Sequence, residues 1–374
     1  TMNFKISKRV FYSALNTVSR AISSNSPLPA LSGIKIEVNQ DSIVLTGSDS
    51  DISIQTTLNG SDEETNLIVK ETGSIVIEAK YILEIVRKID ADEIELEIVD
   101  GSLTKISGMS AEFRINGMRA LDYPAIDFTR PGQQFEMDAD VLLKVISQTT
   151  FATSDRETRP VLTGVNMKCS GKRLECVATD SYRLARKIVD LTSENNFNIT
   201  IPAKSLNEVS KTIAQDSSVL IAVSDKKAQF WIGETVIQTR LIDGAYPETA
   251  RLIPTEFAHE LTVDSRDMLN AIDRASFIKN EGISIVKLSA NSEEVVISSK
   301  SQEVGSSVEN LNILGYEGNP LEISFSGKYV FEAIRVLSAT TIKILFSGEM
   351  KPFVIRNTDD DSILQLVLPV RTYS

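Results

Sequence analysis

An internal repeat with a step of 124 residues constrains the fold of this chain more than any other feature of its sequence. Three segments of helical character begin at Lys80, Lys204 and Lys328, and in each a glutamate follows four residues later and a second basic residue three after that. The prolines at positions 124, 247 and 369 keep nearly the same step. Solenoid repeats are only about 20 to 50 residues long, whereas this step is long enough for a domain with its own core. The repeat predicts three tandem, similar domains at 1–128, 129–254 and 255–374.

Two sequence periods alternate within each third of the chain. Each third divides into two similar halves. Every half begins with apolar residues at helical spacing, and period-2 segments such as 34–38, 94–98 and 295–298 follow them. The helical faces include Val10, Ala14, Leu15, Val18 and Ile22, then Val141, Leu142, Val145 and Ile146, then Met268, Leu269 and Ile272. The connections between strands are too short for parallel crossovers, so the sheets should be antiparallel. These patterns predict an α+β fold with two helices and two small antiparallel sheets in each third.

The composition is that of an ordinary globular chain, with 42% apolar and 24% charged residues. No stretch approaches the roughly 18 consecutive apolar residues of a membrane span, and the first residues lack the apolar segment of a signal peptide. We therefore expect a cytoplasmic protein with no membrane partner. Cys169 and Cys176 suggest neither a disulfide framework nor a zinc site, and the single histidine, His259, excludes most hydrolase triads.

Charge is distributed unevenly along the chain. The formal net charge is −12, yet the six candidate helices together carry +8, so the rest of the chain must carry −20. Helices that share one face of an assembly would therefore present positive charge to phosphates, while the outside stays acidic. The alternative is that the lysines and glutamates four residues apart form weak pairs within each helix, worth about 0.2 to 0.5 kcal/mol, and that the other basic residues are simply solvated.

Familiar catalytic motifs are missing. Residues 170–172 and 326–328 resemble the end of a phosphate-binding loop, but Asn166 and Glu322 stand where its first glycine belongs. The acidic residues Asp49 and Asp51, and those at 359–361, are more typical of turns between strands than of a metal site. No zinc-finger, helix-turn-helix or RNA-recognition signature is present, which favours contact with a phosphate backbone over base-specific reading.

Four segments, at 159–165, 177–185, 243–247 and 366–371, together with the triplication, resemble the bacterial DNA polymerase III beta subunit, the sliding clamp family. The resemblance implies a DNA clamp fold that closes as a head-to-tail homodimeric ring, with helices lining the hole and sheets outside. It implies a processivity factor rather than an enzyme, without cofactor or metal. The implied partners are double-stranded DNA of any sequence, the DNA polymerase III alpha subunit, the clamp loader and other proteins that carry a clamp-binding motif.

The resemblance also places the functional residues. The implied partner-peptide pocket comprises Leu162, Thr179, Ser181, Tyr182, Arg183, Leu184, Pro247, Arg251, Leu252, Pro352, Leu366, Val367 and Leu368. The implied DNA contacts are Arg20, Lys80, Arg87, Arg159, Lys204 and Lys211, and the implied dimer contacts are Phe277 and Ile278. The chain departs from patterns common in the family at Asn25, at Pro160-Val161 and at Ser181-Tyr182.

Two other classes of protein fit parts of the pattern. An enzyme would use the acidic turns to hold a metal ion, and a monomeric peptide-binding scaffold would keep the pocket without any role at DNA. For single residues the plainer interpretation is structural, since the pocket leucines are the kind that pack a domain core and Phe277 is the kind that closes a helix end.

Overall fold

The computed structural model describes residues 1–372, and within them the chain forms six α-helices and twenty-four β-strands. The helices are α1 (Lys8–Ser19), α2 (Ala79–Lys88), α3 (Ala139–Thr149), α4 (Ala203–Thr212), α5 (Ser265–Ala275) and α6 (Gly327–Arg335). The strands are β1 (Asn3–Ser7), β2 (Gly33–Val38), β3 (Ser42–Ser48), β4 (Ile52–Asn59), β5 (Ile68–Glu71), β6 (Gly73–Glu78), β7 (Glu93–Asp100), β8 (Leu103–Gly108), β9 (Ala111–Asn116), β10 (Gln133–Asp138), β11 (Gly164–Thr179), β12 (Arg183–Pro202), β13 (Ser218–Val223), β14 (Lys227–Ile232), β15 (Thr235–Arg240), β16 (His259–Asp264), β17 (Ile285–Ala290), β18 (Val295–Ser301), β19 (Gly305–Asn310), β20 (Gly315–Glu317), β21 (Leu321–Ser326), β22 (Thr341–Phe346), β23 (Phe353–Asn357) and β24 (Asp360–Val367).

The helices form where the apolar spacing predicts them, because one stripe of each is buried and a polar residue caps several of their starts. In α1 the buried residues are Phe11, Ala14, Leu15 and Val18. Ser7 accepts a hydrogen bond from the Val10 amide at 3.4 Å, which caps the first turn of this helix. Asp264 and Ser326 cap α5 and α6 in the same way. None of the helices in residues 1–372 is long and apolar enough to cross a membrane.

Every strand pair in the described sheets is antiparallel, as the short connections predict. Four sheets form, of five, eight, seven and four strands. The eight-stranded sheet runs β10-β13-β14-β15-β4-β3-β2-β6, and the seven-stranded sheet runs β11-β12-β24-β23-β22-β16-β20. Each of these two sheets therefore combines strands from neighbouring thirds of the chain, which makes them larger than the small sheets that local patterns predict.

Two compact units result from this sharing of strands. Unit 1 comprises residues 1–140 and 204–241, and unit 2 comprises residues 141–203 and 242–374. Unit 1 contains the eight-stranded sheet and the five-stranded sheet β5-β1-β7-β8-β9. Unit 2 contains the seven-stranded sheet and the four-stranded sheet β19-β18-β17-β21. The middle third divides between the units because β10 and β13 to β15 pair within one sheet and β11 and β12 within the other. The boundaries 128/129 and 254/255 stay predictions.

Unit 2 has a large apolar core beneath both of its sheets. The core is built around α5 and α6, whose buried residues include Met268, Ile272, Val330 and Ile334. The Phe353 ring packs against two other phenylalanines of this core, with centroid distances of 5.7 Å to Phe325 and 5.3 Å to Phe346. This packing fixes β23 and so positions the end of the chain, where part of the predicted pocket lies.

Candidate functional site

A tight turn between β11 and β12 in unit 2 displays the first part of the predicted pocket. The Asp180 carboxylate accepts hydrogen bonds from the amides of Tyr182 at 2.9 Å and Arg183 at 3.1 Å. The Thr179 hydroxyl donates to the Arg183 carbonyl at 2.6 Å, and Ser181 takes a positive φ of 81°. The hydroxyl of Ser181 is within 3.3 Å of the Arg159 guanidinium, which donates to it. These bonds fix the turn with the Tyr182 ring in solvent, 61% exposed.

Strand pairing brings this turn against the last strand of the chain, although about 180 residues separate them in sequence. Leu184 lies opposite Leu366, and Arg183 lies opposite Val367, in the register of β12 and β24. The Leu368 amide then donates to the Tyr182 carbonyl at 3.0 Å. Two of the separate sequence segments that the resemblance implies are therefore in direct contact.

An apolar cluster lies beneath this contact. Its buried members are Val177, Leu184, Val354, Leu364 and Leu366. Partly buried side chains pack on top of them, namely Tyr246, Ile253, Phe257, Leu345 and Leu368. Tyr246 and Ile253 flank the predicted residues Pro247, Arg251 and Leu252, so the segment at 246–253 forms a further wall.

The predicted pocket residues fall into two groups by exposure. Leu162, Leu184, Leu366 and Val367 are almost fully buried, and Thr179 is buried too. The accessible residues are Ser181, Tyr182, Pro247, Arg251, Leu252, Pro352 and Leu368. The buried group can serve only as the floor of a groove, and the accessible group is what a ligand would touch. Leu366 and Val367 belong to β24. A truncation designed to remove part of the pocket without shortening this strand must therefore begin at Leu368 and not at Leu366.

Arg183, one of the predicted pocket residues, lies where its side chain is not accessible to a ligand. The residue is 8% exposed, and its guanidinium donates to Asp180 at 3.1 Å and to Glu332 of α6 at 2.6 Å. It also lies over the Tyr329 ring, 4.3 Å from the centroid. A guanidinium with two carboxylate partners has its charge compensated and few free N–H donors for a ligand. Arg183 therefore ties the turn to α6, and Arg251, which is exposed, is the accessible cation of the groove.

A cavity of about 730 Å³ adjoins the turn on the side of α6. Tyr182 lines it together with Ile283, Tyr329, Phe331 and Val370. This cavity extends the apolar surface from the Tyr182 ring across α6 within unit 2.

The six predicted DNA contacts are all exposed, and they differ in how far their charge is already compensated. Arg87 makes two bonds to Glu84, at 3.1 and 2.8 Å, and these bonds lower the pKa of the Glu84 carboxyl. Lys211 lies 3.5 Å from Glu208. Lys80 pairs with Glu78 at 3.6 Å rather than with the glutamate four residues on. Arg20 and Lys204 form no ion pair with any residue in the range 1–372, and Arg159 lies beside the turn at Ser181.

Phe277 and Ile278 follow the end of α5, next to a sheet edge. Phe277 is 80% exposed and Ile278 is half-buried, so Phe277 does not close the helix end as core. The last turn of α5 is fixed to the outermost strand β19 by Arg274, which makes a two-pronged ion pair with Glu309 at 2.8 to 3.2 Å. This ion pair joins the end of the helix that precedes the exposed Phe277 ring to β19.

Two edge strands are a feature that our sequence analysis missed. β9 ends the five-stranded sheet and β19 ends the four-stranded sheet, and in the described residues nothing pairs with their outer sides. On β9 the half-buried Phe113 and Ile115 alternate with exposed polar residues, and on β19 Val308 is 72% exposed. The sequence signal for β9 was the strict alternation of apolar and polar residues at 111–116, which is typical of a strand with one face covered.

The acidic turns, which the enzyme alternative would use to hold a metal ion, have a structural role. Among residues 1–372, no group of three or more His, Cys, Asp and Glu side chains is placed to hold a metal ion. Asp49 and Asp360 instead use their carboxylates as turn caps, accepting hydrogen bonds from amides two or three residues ahead. The acidic turns are thus part of the backbone geometry.

Comparison with known families covers nearly the whole chain. The models of the N-terminal, central and C-terminal domains of the DNA polymerase III beta subunit match residues 2–127, 136–248 and 250–371. The chain belongs to the DNA polymerase III beta subunit family. It has the three-domain sliding clamp fold, and it functions as a sliding clamp that binds DNA and its polymerase, without catalytic activity of its own.

Individual relatives agree with this assignment. The beta sliding clamp of Bacillus subtilis (strain 168) is 40% identical over 378 residues, which is 100% of both chains. The crystal structure of the DNA polymerase sliding clamp from Bacillus subtilis superposes with a TM-score of 0.97 and covers 100% of both chains. A sliding clamp from Bartonella birtlesii, solved bound to griselimycin, is 27% identical, with a TM-score of 0.91 and coverage of 99% of this chain and 100% of that one.

Proposed function

We propose that the chain works as a homodimeric ring around duplex DNA in the cytoplasm, and that the groove formed by the Tyr182 turn, the 246–253 segment and Leu368 receives the peptide motifs of its partners. The observation that carries this proposal is the pairing of β12 with β24, which joins distant predicted pocket segments into one surface with an apolar floor. The partners are the DNA polymerase III alpha subunit, the clamp loader and other proteins that carry the same kind of motif.

The chemistry of this groove suits an extended peptide with apolar anchors. Leu252 and Tyr182 are large apolar side chains exposed beside the half-buried Leu368, and burying such a side chain contributes about 1.5 to 3 kcal/mol. Arg251 supplies a cation at the accessible side for polar groups of the peptide. Extended peptides are commonly held by such a combination of apolar pockets and a polar rim.

The ring needs two unlike surfaces that meet, and the sheet edges formed by β9 and β19 are suitable surfaces. β9 lies in unit 1 and β19 lies in unit 2, so β9 of one protomer can continue the sheet that ends at β19 of its partner. Phe277 and Ile278 follow α5, whose Arg274 pairs with Glu309 of β19, and Phe113 and Ile115 lie on β9, so that apolar side chains are available for both sides of such a contact. Two identical contacts of this kind close a head-to-tail dimer.

DNA is held in this proposal through its phosphates alone. Arg20, Lys80, Arg87, Lys204 and Lys211 lie on or at the end of helices, and Arg159 lies near the Tyr182 turn. Arg20 and Lys204 contribute most per residue, because the charges of Arg87 and Lys211 are already offset by a neighbouring glutamate. Contacts of this kind do not distinguish base sequences.

The sliding of the protein on DNA provides the direct test of this function. The clamp loader places the protein on a nicked circular DNA, which is then cut once. The protein should remain on the closed circle and leave the linear DNA, and a bulky protein bound at each end should restore retention. Retention on linear DNA with open ends would contradict encirclement.

Charge reversal on the helices tests the DNA contacts. Lys80→Glu with Lys204→Glu should weaken retention on the circle and flatten the dependence of log affinity on log salt, by about 0.9 for each phosphate that the protein no longer neutralises. The matched control reverses Lys168 and Lys172, two exposed lysines of the β11–β12 hairpin, and should change neither quantity. Equal effects of the two pairs would mean that net charge, and not the helices, determines retention.

The dimer contact has its own test, which also separates the clamp from a monomeric scaffold. Phe277→Ala with Ile278→Ala should convert the dimer to a folded monomer at low micromolar concentration, because it removes the apolar part of each contact. Sedimentation measures the mass, and circular dichroism verifies the fold. Met350→Ala, which truncates another exposed apolar residue of unit 2, should leave the dimer intact. An unchanged dimer in the double variant would place the interface elsewhere.

A further inference from the structure

The turn that displays Tyr182 in unit 2 has a close counterpart in unit 1. Asp49 accepts hydrogen bonds from the amides of Asp51 at 2.9 Å and Ile52 at 2.8 Å, just as Asp180 does from Tyr182 and Arg183. Ser50 has a φ of 83°, against 81° for Ser181. The residue before each aspartate also accepts a hydrogen bond, through its hydroxyl, from the amide two residues on. The two turns have the same backbone.

The strands after these turns pair in the same register. In unit 1, Ile52 lies opposite Thr239 and Ser53 opposite Gln238, as Arg183 lies opposite Val367 and Leu184 opposite Leu366 in unit 2. The Arg240 amide donates to the Asp51 carbonyl at 2.9 Å, which matches the bond from the Leu368 amide to the Tyr182 carbonyl at 3.0 Å. The correspondence therefore extends from the turn into the last strand.

The elements around the two turns are also repeated. A short 3-10 helix, Pro29–Ser32 in unit 1 and Pro160–Thr163 in unit 2, places a buried leucine and ends at a glycine. A Cβ at either glycine would overlap a neighbouring strand, so both helices enter their sheets at the same close approach. A Tyr-Pro pair begins the following linker in each unit, at 123–124 and at 246–247.

Only the side chains differ, and they differ consistently in polarity. Where unit 2 has Tyr182, Leu184, Val354, Leu366 and Leu368, unit 1 has Asp51, Ser53, Gln229, Gln238 and Arg240. A cavity of about 590 Å³ at this place in unit 1 is lined by Leu31, Pro124 and Ile126 and by polar residues that include Asp51, Ser53, Gln238 and Arg240. The space for a ligand is present, but the apolar floor is not.

We propose that unit 1 contains a second copy of the docking scaffold, and that these five side chains determine that apolar peptide motifs bind only to the copy in unit 2. The proposal rests on the proposed function of the unit 2 groove. In unit 1, Gln238 donates to the Asp127 carbonyl at 3.0 Å, and Gln229 donates to Gln238 at 2.8 Å. An apolar anchor laid over this network would remove water from polar groups without replacing its hydrogen bonds, which disfavours binding.

Grafting the apolar set onto unit 1 tests the proposal. The variant Asp51→Tyr, Ser53→Leu, Gln229→Val, Gln238→Leu and Arg240→Leu is titrated calorimetrically with a peptide that carries the clamp-binding motif of the polymerase. The expected stoichiometry rises from one peptide per protomer to two. A folded graft that still binds one peptide overturns the proposal, while binding of one peptide by the parent leaves the proposed function intact.

Three further variants keep the test decisive. If the full graft fails to fold, Asp51→Tyr with Arg240→Leu changes only exposed positions and should produce a weaker second binding event, whose absence overturns the proposal. The full graft combined with Tyr182→Asp and Leu368→Arg should bind one peptide, now in unit 1. If Tyr182→Asp with Leu368→Arg alone leaves peptide binding unchanged, the proposed function itself is wrong, and that result is distinguishable from failure of the graft.

Discussion

Each unit has a junction, the place where the strand that follows the tight turn pairs with a strand from another third of the chain. In unit 1 this junction places Ser53, after the Asp49 turn, beside Gln238, whereas in unit 2 it places Leu184, after the Asp180 turn, beside Leu366. The backbone is the same in the two places, so the two surfaces differ through their side chains and not through backbone geometry. In unit 1 the polar groups bond to one another and to the linker at 127–128, through Gln229 and Gln238. In unit 2 the leucines bury one another and leave neighbouring apolar side chains available to a partner.

The two turns also differ in how they are fixed to the rest of their units, as Arg183 shows. Its counterpart in unit 1 is Ile52, which is buried, whereas Arg183 needs Asp180 and Glu332 to compensate its charge in a buried place. The turn in unit 2 is therefore fixed to α6 by an ion pair, and the turn in unit 1 by apolar packing. Buried ion pairs specify geometry at a cost in desolvation, which suits a turn that must display Tyr182 in one orientation.

The largest expected effect in this comparison is on peptide binding. Leu252→Asp with Leu368→Asp removes two apolar anchors from unit 2 and should weaken binding of a polymerase-derived peptide by at least about 100-fold, given about 1.5 to 3 kcal/mol for each anchor. A control change in unit 1, Thr129→Asp with Arg240→Asp, alters net charge even more and should leave the affinity unchanged. Calorimetry on dimeric protein measures both. Similar losses from the two variants would remove the distinction between the junctions.

A smaller difference is expected in stability. Leu366→Ala opens a cavity in an apolar cluster and should cost about 2 to 5 kcal/mol. Gln238→Ala removes hydrogen bonds that water can partly replace and should cost about 1 kcal/mol. Thermal unfolding by circular dichroism compares the variants, and fluorescence of Trp231, the chain's single tryptophan, reports on unit 1 alone. A larger loss from Gln238→Ala would mean that the polar network, not the leucine cluster, is the stronger junction.

Much of this architecture can be predicted from the sequence, because its signals are local. The buried stripes of α1 and α5 follow the apolar spacing to within a residue or two at most positions, since a helix on a core must bury one face. The pairing of β4 with β15, and of β12 with β24, cannot be predicted in this way. Strands that meet across more than 170 residues carry no local mark of their partner.

The candidate site was also predictable only in part. The resemblance identified the turn at 179–184 and the end at 366–368, but spacing alone could not tell that Leu184, Leu366 and Val367 lie underneath while Tyr182 and Leu252 lie on the surface. Exposure depends on the register of three strands, and a shift of one residue would reverse it. The burial of Arg183 could not be predicted for the same reason, since its partner Glu332 lies on a distant helix.

The smallest expected effect concerns the tyrosine that both junctions keep, Tyr123 in unit 1 and Tyr246 in unit 2. Burial raises the pKa of both phenols well above the usual value near 10, so the folded state keeps them neutral while the unfolded chain ionises them. Their contribution to the free energy of unfolding is therefore fully present below about pH 10. As the pH rises further, the free energy of unfolding falls by about 1.4 kcal/mol per pH unit for each phenol. Urea unfolding at pH 8 and pH 11 should show that Tyr123→Phe and Tyr246→Phe each reduce this alkaline loss by a similar amount, with Trp231 fluorescence following unit 1 and hydrogen exchange following unit 2. If both variants reduce the alkaline loss of stability equally, the junctions differ only in the side chains around the tyrosine. If only one variant reduces it, the two scaffolds also differ in how tightly they pack.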